Sequence, residues 1–135
     1  MTIDEIHALL RDGFPTWDQG GVSIESAGYR ACRLRLAVHG GHLRAGGTIN
    51  GPTMFMLADT ALFVAVLATV GPKALAVTTN MSINFLRKPP PRDLVADCRL
   101  FKVGARLAYG EAIIFSDGDE EPVAHATGTY AIPSQ

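Results

Sequence analysis

The spacing of apolar positions along this chain changes from helical to alternating, and one stretch follows neither rule. Near the start, Ile6, Leu9 and Leu10 recur at the interval of one helix face. Thr2 and Glu5 precede them with capping-box spacing, which predicts a short helix over about residues 2–12, ending near Gly13 with Pro15 beyond. Residues 20–28 are ambiguous, with room for a short strand around Val22 and Ile24. From Tyr29 to Val38, Cys32, Leu34, Leu36 and Val38 point one way and Arg33 and Arg35 the other, the pattern of a half-buried strand. Four more strand-like segments follow, over 76–86, 94–103, 107–116 and 123–132. In the first, Val77, Thr79, Met81, Ile83 and Phe85 alternate with Thr78, Asn80, Ser82 and Asn84. Gly104 marks one bend, and Asp117-Gly118-Asp119-Glu120-Glu121 reads as an acidic hairpin turn.

The exception is Pro52 to Val70, where nearly every residue is apolar or small and Asp59 is the only charge. Pro52 suits a first helical turn, where its missing N–H is not needed, and Gly71-Pro72 stops the helix, so a central helix over about 52–70 is expected. Its length approaches that of a bilayer span. An aspartate near the middle would be costly in lipid, however, and the amphipathic strands need an apolar partner to cover. A helix without a polar face must be wrapped on most sides. The expected fold is therefore α+β: a curved antiparallel sheet folded around one long helix. A ferredoxin-like domain would need two amphipathic helices on one face, and only one comparable helix is present. With no repeat, low-complexity tract or second domain visible, residues 1–135 read as a single domain.

Composition narrows the function classes. The chain has 135 residues, 47% of them apolar, and a formal net charge of −1, a globular balance that gives no electrostatic ground for binding nucleic acid. Its two cysteines, Cys32 and Cys98, lie in alternating segments without metal spacing, as expected of reduced, unpaired thiols in a cytoplasmic protein. The N-terminus has early acids and no long apolar core, unlike a signal peptide. Histidines 7, 39, 42 and 125 are scattered, so no metal is implied.

Asp59 is the residue that demands an explanation. Burying a carboxylate costs several kcal/mol unless it is paired or neutralised. It either fixes sheet against helix through hydrogen bonds, or stands at the wall of an apolar pocket as a base or nucleophile. Asn50-Gly51-Pro52 supplies a second element. A helix N-terminus presents free N–H groups, and Gly51 allows close approach of a carbonyl to its own N–H, which suits an oxyanion; ordinary capping by Asn50 is the alternative. Residues 50 and 59 lie about 13 Å apart along a straight helix, so joining them in one site requires a partner subunit or a bend.

Gly46-Gly47-Thr48-Ile49-Asn50-Gly51-Pro52, followed by Asp59 nine residues after Asn50, resembles the signature of PaaI-type hotdog thioesterases. That signature runs from a loop Asn through Gly and His-Gly-Gly to an acid on the central helix. Ser82 to Arg87, Gly104-Ala105-Arg106 and Ala124 to Tyr130 extend the resemblance. It implies that Asp59 is the catalytic carboxylate, that the Gly51 N–H polarises the thioester carbonyl, and that Asn50 occupies the position of the family His. Arg44 falls on or near the loop Asn, where it can bind a substrate carboxylate or a CoA phosphate. Pro52 replaces the second Gly, and Thr78 or Thr79 falls near a hydroxyl residue that helps place water. Thr60 and Phe63 join Arg44, Pro52 and these threonines as expected substrate contacts. Arg87, Lys88 and Arg92 are candidates for CoA phosphates. The resemblance further implies an active site shared between subunits of a homodimer or homotetramer, with coenzyme A entering only as part of the substrate. The expected activity is hydrolysis of a small or medium acyl- or aryl-CoA. The alternatives are a non-catalytic acyl-CoA or aryl-ligand binder, and a hotdog dehydratase, which Asn50 in the His position disfavours.

Overall fold

The computed structural model describes residues 1–134. Helix α1 (Ile3–Gly13) leads into strands β1 (Val22–Gly28) and β2 (Ala31–Leu36), then the long helix α2 (Gly51–Val70), then β3 (Val77–Phe85), β4 (Leu94–Val103), β5 (Leu107–Ser116) and β6 (Pro122–Ala131). The expected capping box opens α1: Glu5 N–H donates to Thr2 Oγ1 at 3.1 Å and Thr2 N–H to Glu5 Oε1 at 2.7 Å. Gly71 closes α2 at φ 92°, a left-handed conformation that favours glycine, and donates its N–H to Leu67 O.

The strands form one antiparallel sheet in the order β1-β2-β4-β5-β6-β3. Helix α2 packs against all six strands. Consecutive residues Ala61 to Leu67 are buried, so no side of the helix there faces water. Each Leu, Val or Phe in that run contributes about 1.5–3 kcal/mol by leaving water. Small residues on the sheet let the helix come close. A Cβ at Gly128 would lie 2.7 Å from Leu62 Cδ1, so even alanine forces a shift there. This apolar 20-residue helix, long enough to cross a bilayer, is the core helix of the domain. Helix α1 docks beside it through Ile6 and Leu10, both buried.

Two departures from the expected strand pattern concern β2 and β3. The strand expected from Tyr29 begins only at Ala31 and ends at Leu36, because Tyr29 and Arg30 form the β1–β2 turn. Arg30 sits at φ 62°, and its N–H donates to Thr69 Oγ1 at 2.9 Å, which ties the turn to the end of α2. The second departure is a bulge in β3: Thr78 pairs with Tyr130 and Asn80 with Thr129, leaving Thr79 as the extra residue. Thr78 thereby turns to the same face as Met81 and Ile83.

Cys32 and Cys98 face each other across β2 and β4 as free, buried thiols. The Cys98 sulfur and burial push the Cys32 thiol well above its usual range. On the outer face, Arg33 pairs with Asp97 and Glu25, and Arg35 with Glu25, Asp93 and Asp117.

Candidate active site

Asp59 lies in the third turn of α2, half-buried. Its Oδ1 accepts two hydroxyl protons, from Thr78 Oγ1 at 2.6 Å and from Tyr130 OH at 2.6 Å. The Tyr130 oxygen also lies 3.0 Å from the Asp59 carbonyl oxygen, but it has one proton and the shorter contact takes it. Burial and the adjacent carboxylate push the Tyr130 hydroxyl well above the usual tyrosine range, so it remains a donor. Among the described residues, Asp59 Oδ2 accepts no hydrogen bond.

A cleft of about 420 Å³ opens beside this carboxylate. Helix α2 gives it Met56, Asp59, Thr60 and Phe63, and the segment after α1 gives it Phe14, Thr16 and Trp17. The Phe14 ring stands edge-on to Phe63, with centroids 6.2 Å apart, and Phe63 stacks on Tyr130 at 5.9 Å. The wall is therefore aromatic and the polar groups are few, as in a site for an apolar group carrying one reactive centre. Thr60 Oγ1 donates to Met56 O at 2.8 Å. His42 also lines the cleft. Its Nδ1 accepts the His39 N–H at 3.2 Å, which leaves Nε2 to carry the proton in the neutral ring, and burial, then His39, lowers its pKa.

Asn50 caps α2. Its Oδ1 accepts from Thr53 N–H at 2.9 Å and from Thr53 Oγ1 at 2.6 Å. Gly51 follows as the first helical residue, a position with no intrahelical acceptor for its N–H, and Pro52 comes next, exposed. A Cβ at Gly51 would lie 3.3 Å from Phe85 Cζ, so the helix start lies against the end of β3 while Asp59 lies against its beginning. Eight residues of helix keep Gly51 about 12 Å from Asp59 along the axis, and one chain does not bring the two together.

The remaining expected contacts are dispersed. Thr78 reaches Asp59, whereas Thr79 bonds the Thr129 carbonyl at 3.3 Å on the other side of the bulge. Arg44 is exposed on the glycine-rich loop. Arg87 pairs with Glu121 and Arg92 with Asp119, so the acidic turn neutralises two of the three candidate cations, and Lys88 stays exposed. Among the described residues, no three His, Cys, Asp or Glu side chains converge as a metal site.

Tyr130, His42, Phe14 and Trp17 were not anticipated from the sequence as site residues. Tyr130 did carry a signal. On the β6 face bearing Ala124, Ala126 and Gly128, it is the one residue with a polar tip, the strand counterpart of Asp59 on the helix. For Phe14 and Trp17, which follow α1, the sequence held no such signal.

The Thioesterase superfamily model matches residues 46–123, a span that includes Gly46-Gly47, all of α2 and Asp59. The chain belongs to this superfamily. A Halobacterium salinarum protein, named provisionally as an esterase, is 32% identical over 117 residues, 80% of this chain and 76% of that protein. A Silicibacter crystal structure, named provisionally as a thioesterase, is 47% identical with a TM-score of 0.89, covering 98% of this chain and 92% of that one. The PaaI protein of the Escherichia coli phenylacetic acid degradation operon shares the fold at 21% identity and a TM-score of 0.83, covering 96% and 91%. The chain is thus a hotdog-fold thioesterase, as its resemblance to the PaaI type implied, and its apolar helix is the buried core helix of that fold.

Proposed function

We propose that this thioesterase hydrolyses a small or medium acyl- or aryl-CoA, with Asp59 as general base or nucleophile. The observation that carries this reading is a carboxylate with one oxygen fixed by two hydroxyls and the other unengaged, at the wall of a cleft of about 420 Å³ lined with aromatic rings. In the base route, Asp59 takes a proton from water, the resulting hydroxide attacks the thioester carbon, and collapse of the tetrahedral oxyanion breaks the C–S bond. The thiolate of coenzyme A then takes the proton that Asp59 removed from water, which regenerates the carboxylate, and the acyl group leaves as the acid. The Gly51 N–H is the candidate oxyanion donor.

Since one chain separates Gly51 from Asp59, the site needs a second copy. Strand β3 is the open edge that supports one: it has no charged residue, and Val77 and Phe85 at its ends are 56% and 52% exposed. Two such edges pairing antiparallel about a two-fold axis set the Gly51 and Phe85 end of one copy beside the Asp59 and Thr78 end of the other. Of the candidate cations Arg44, Arg87, Lys88 and Arg92, Arg44 and Lys88 form no ion pair among the described residues and remain to meet the phosphates of coenzyme A.

Asp59→Asn tests the reading, because it keeps the size of the side chain and removes its charge and basicity. Turnover of the best substrate in an acyl-CoA panel should fall by about 10²-fold or more. The melting temperature should hold or rise, since a neutral amide is cheaper to bury. Hydrolysis at the parental rate would refute the role of Asp59, absence of turnover in the parent across the panel would favour a binder, and a lower melting temperature with unchanged turnover per folded molecule would make the carboxylate structural.

A further inference from the structure

We infer that Tyr130 and Thr78 are positioning residues that act as a clamp on Asp59 Oδ1, so that Oδ2 is the oxygen that meets water or the thioester carbon. The inference rests on the proposed role of Asp59 and adds which oxygen reacts and what holds it.

The clamp begins in the register of the sheet. Thr78 and Tyr130 are cross-strand partners on β3 and β6, and both hydroxyls reach the same oxygen at 2.6 Å. Strict alternation along β3 would put Thr78 on the face opposite Met81. The bulge at Thr79 brings it back beside Tyr130. Phe63, stacked on the Tyr130 ring at 5.9 Å, holds the ring from the helix side.

Two short hydroxyl donors on one oxygen fix the carboxylate plane, since two bonds at Oδ1 oppose rotation about the Cβ–Cγ bond and hold Oδ2 at the cleft. A reacting group held in one orientation avoids the orientational search that otherwise slows the step. The titratable groups lining the two clefts around Asp59 are Asp59 itself, Tyr130 and His42; β3 contributes only the Thr78 hydroxyl and the segment after α1 contributes none.

The test is a mutational cycle read in kcat, KM and melting temperature on the assembled enzyme. Tyr130→Phe and Thr78→Val should each lower kcat by about 10-fold or more, the scale of one hydrogen bond to a charged group, with KM nearly unchanged. Thr78→Ser, which keeps the donor, should recover most of what Thr78→Val loses. Placed on Asp59→Asn, neither Tyr130→Phe nor Thr78→Val should lower the residual rate further, since the group they orient is already disabled. The clamp is overturned if Asp59→Asn abolishes turnover while the hydroxyl deletions leave kcat intact, or if the deletions cost as much on Asp59→Asn as on the parent. If Asp59→Asn itself turns over normally, the proposed role of Asp59 fails, and the clamp with it.

Discussion

The two edges of the sheet solve the same problem in opposite ways. At the β1 edge, the register slips between Ile24 and Ser26, so the bulged residue is Glu25, whose carboxylate is held by Arg33 at 2.9 Å and Arg35 at 2.6 Å. A bulge carrying a charge is a standard defence against strand addition. The β3 edge also has a bulge, at Thr79, but no charge from Val77 to Phe85, and the neighbouring Leu75, Leu86 and Phe55 are exposed. One edge repels a further strand and the other leaves its backbone groups and apolar side chains open to one. Thr78 lies on that edge strand, Tyr130 on its neighbour β6, and Asp59 and the start of α2 lie against its two ends. What distinguishes the edges is therefore chemical as well as architectural: the candidate site borders the edge at which the proposed second copy would join.

Charging the open edge should have the largest effect on that contrast. The double substitution Asn80→Lys and Ser82→Lys, at two exposed β3 positions, should convert the proposed oligomer to monomer in light scattering. It should also lower turnover by about 10²-fold, because a shared site loses its oxyanion donor. A monomer of full activity would show that one chain suffices. The matching change on the guarded edge, Glu25→Gln, should leave the oligomer intact and cost no more than about 1 kcal/mol in denaturant unfolding, the usual range for exposed ion pairs. If Glu25→Gln instead produced higher assemblies, the charge on that bulge would prove to be the main barrier to pairing there.

A smaller effect belongs to the loop beside the site. Burial, then His39, lowers the pKa of His42 from its ordinary 6.5, so the unfolded chain binds its proton more readily than the folded one. The stability this contributes is complete above about pH 6.5 and is lost as the pH falls below that value toward the folded pKa. Melting temperature measured from pH 7 to 5 should therefore decline less steeply in His42→Gln than in the parent. Equal slopes would mean that His42 is not the group responsible.

Local pattern by itself determined the elements. The capping box of α1, the Pro52 and Gly71 limits of α2 and the spans of β4 and β5 follow from residues within a few positions of one another, because caps, turns and alternation are short-range constraints. The sequence also singled out Asp59, since one carboxylate in an otherwise uncharged helix is an anomaly whatever surrounds it. Which groups meet that carboxylate was decided only by tertiary structure. Alternation placed Thr79 rather than Thr78 with Met81, and a bulge of one residue exchanged the two, because adjacent side chains in a strand point to opposite faces. Tyr130 reaches Asp59 across 71 residues of chain, through a sheet register that no local pattern encodes. Phe14 and Trp17 join the cleft because α1 docks on the core and carries them there, so their role depends on packing rather than on their neighbours in sequence.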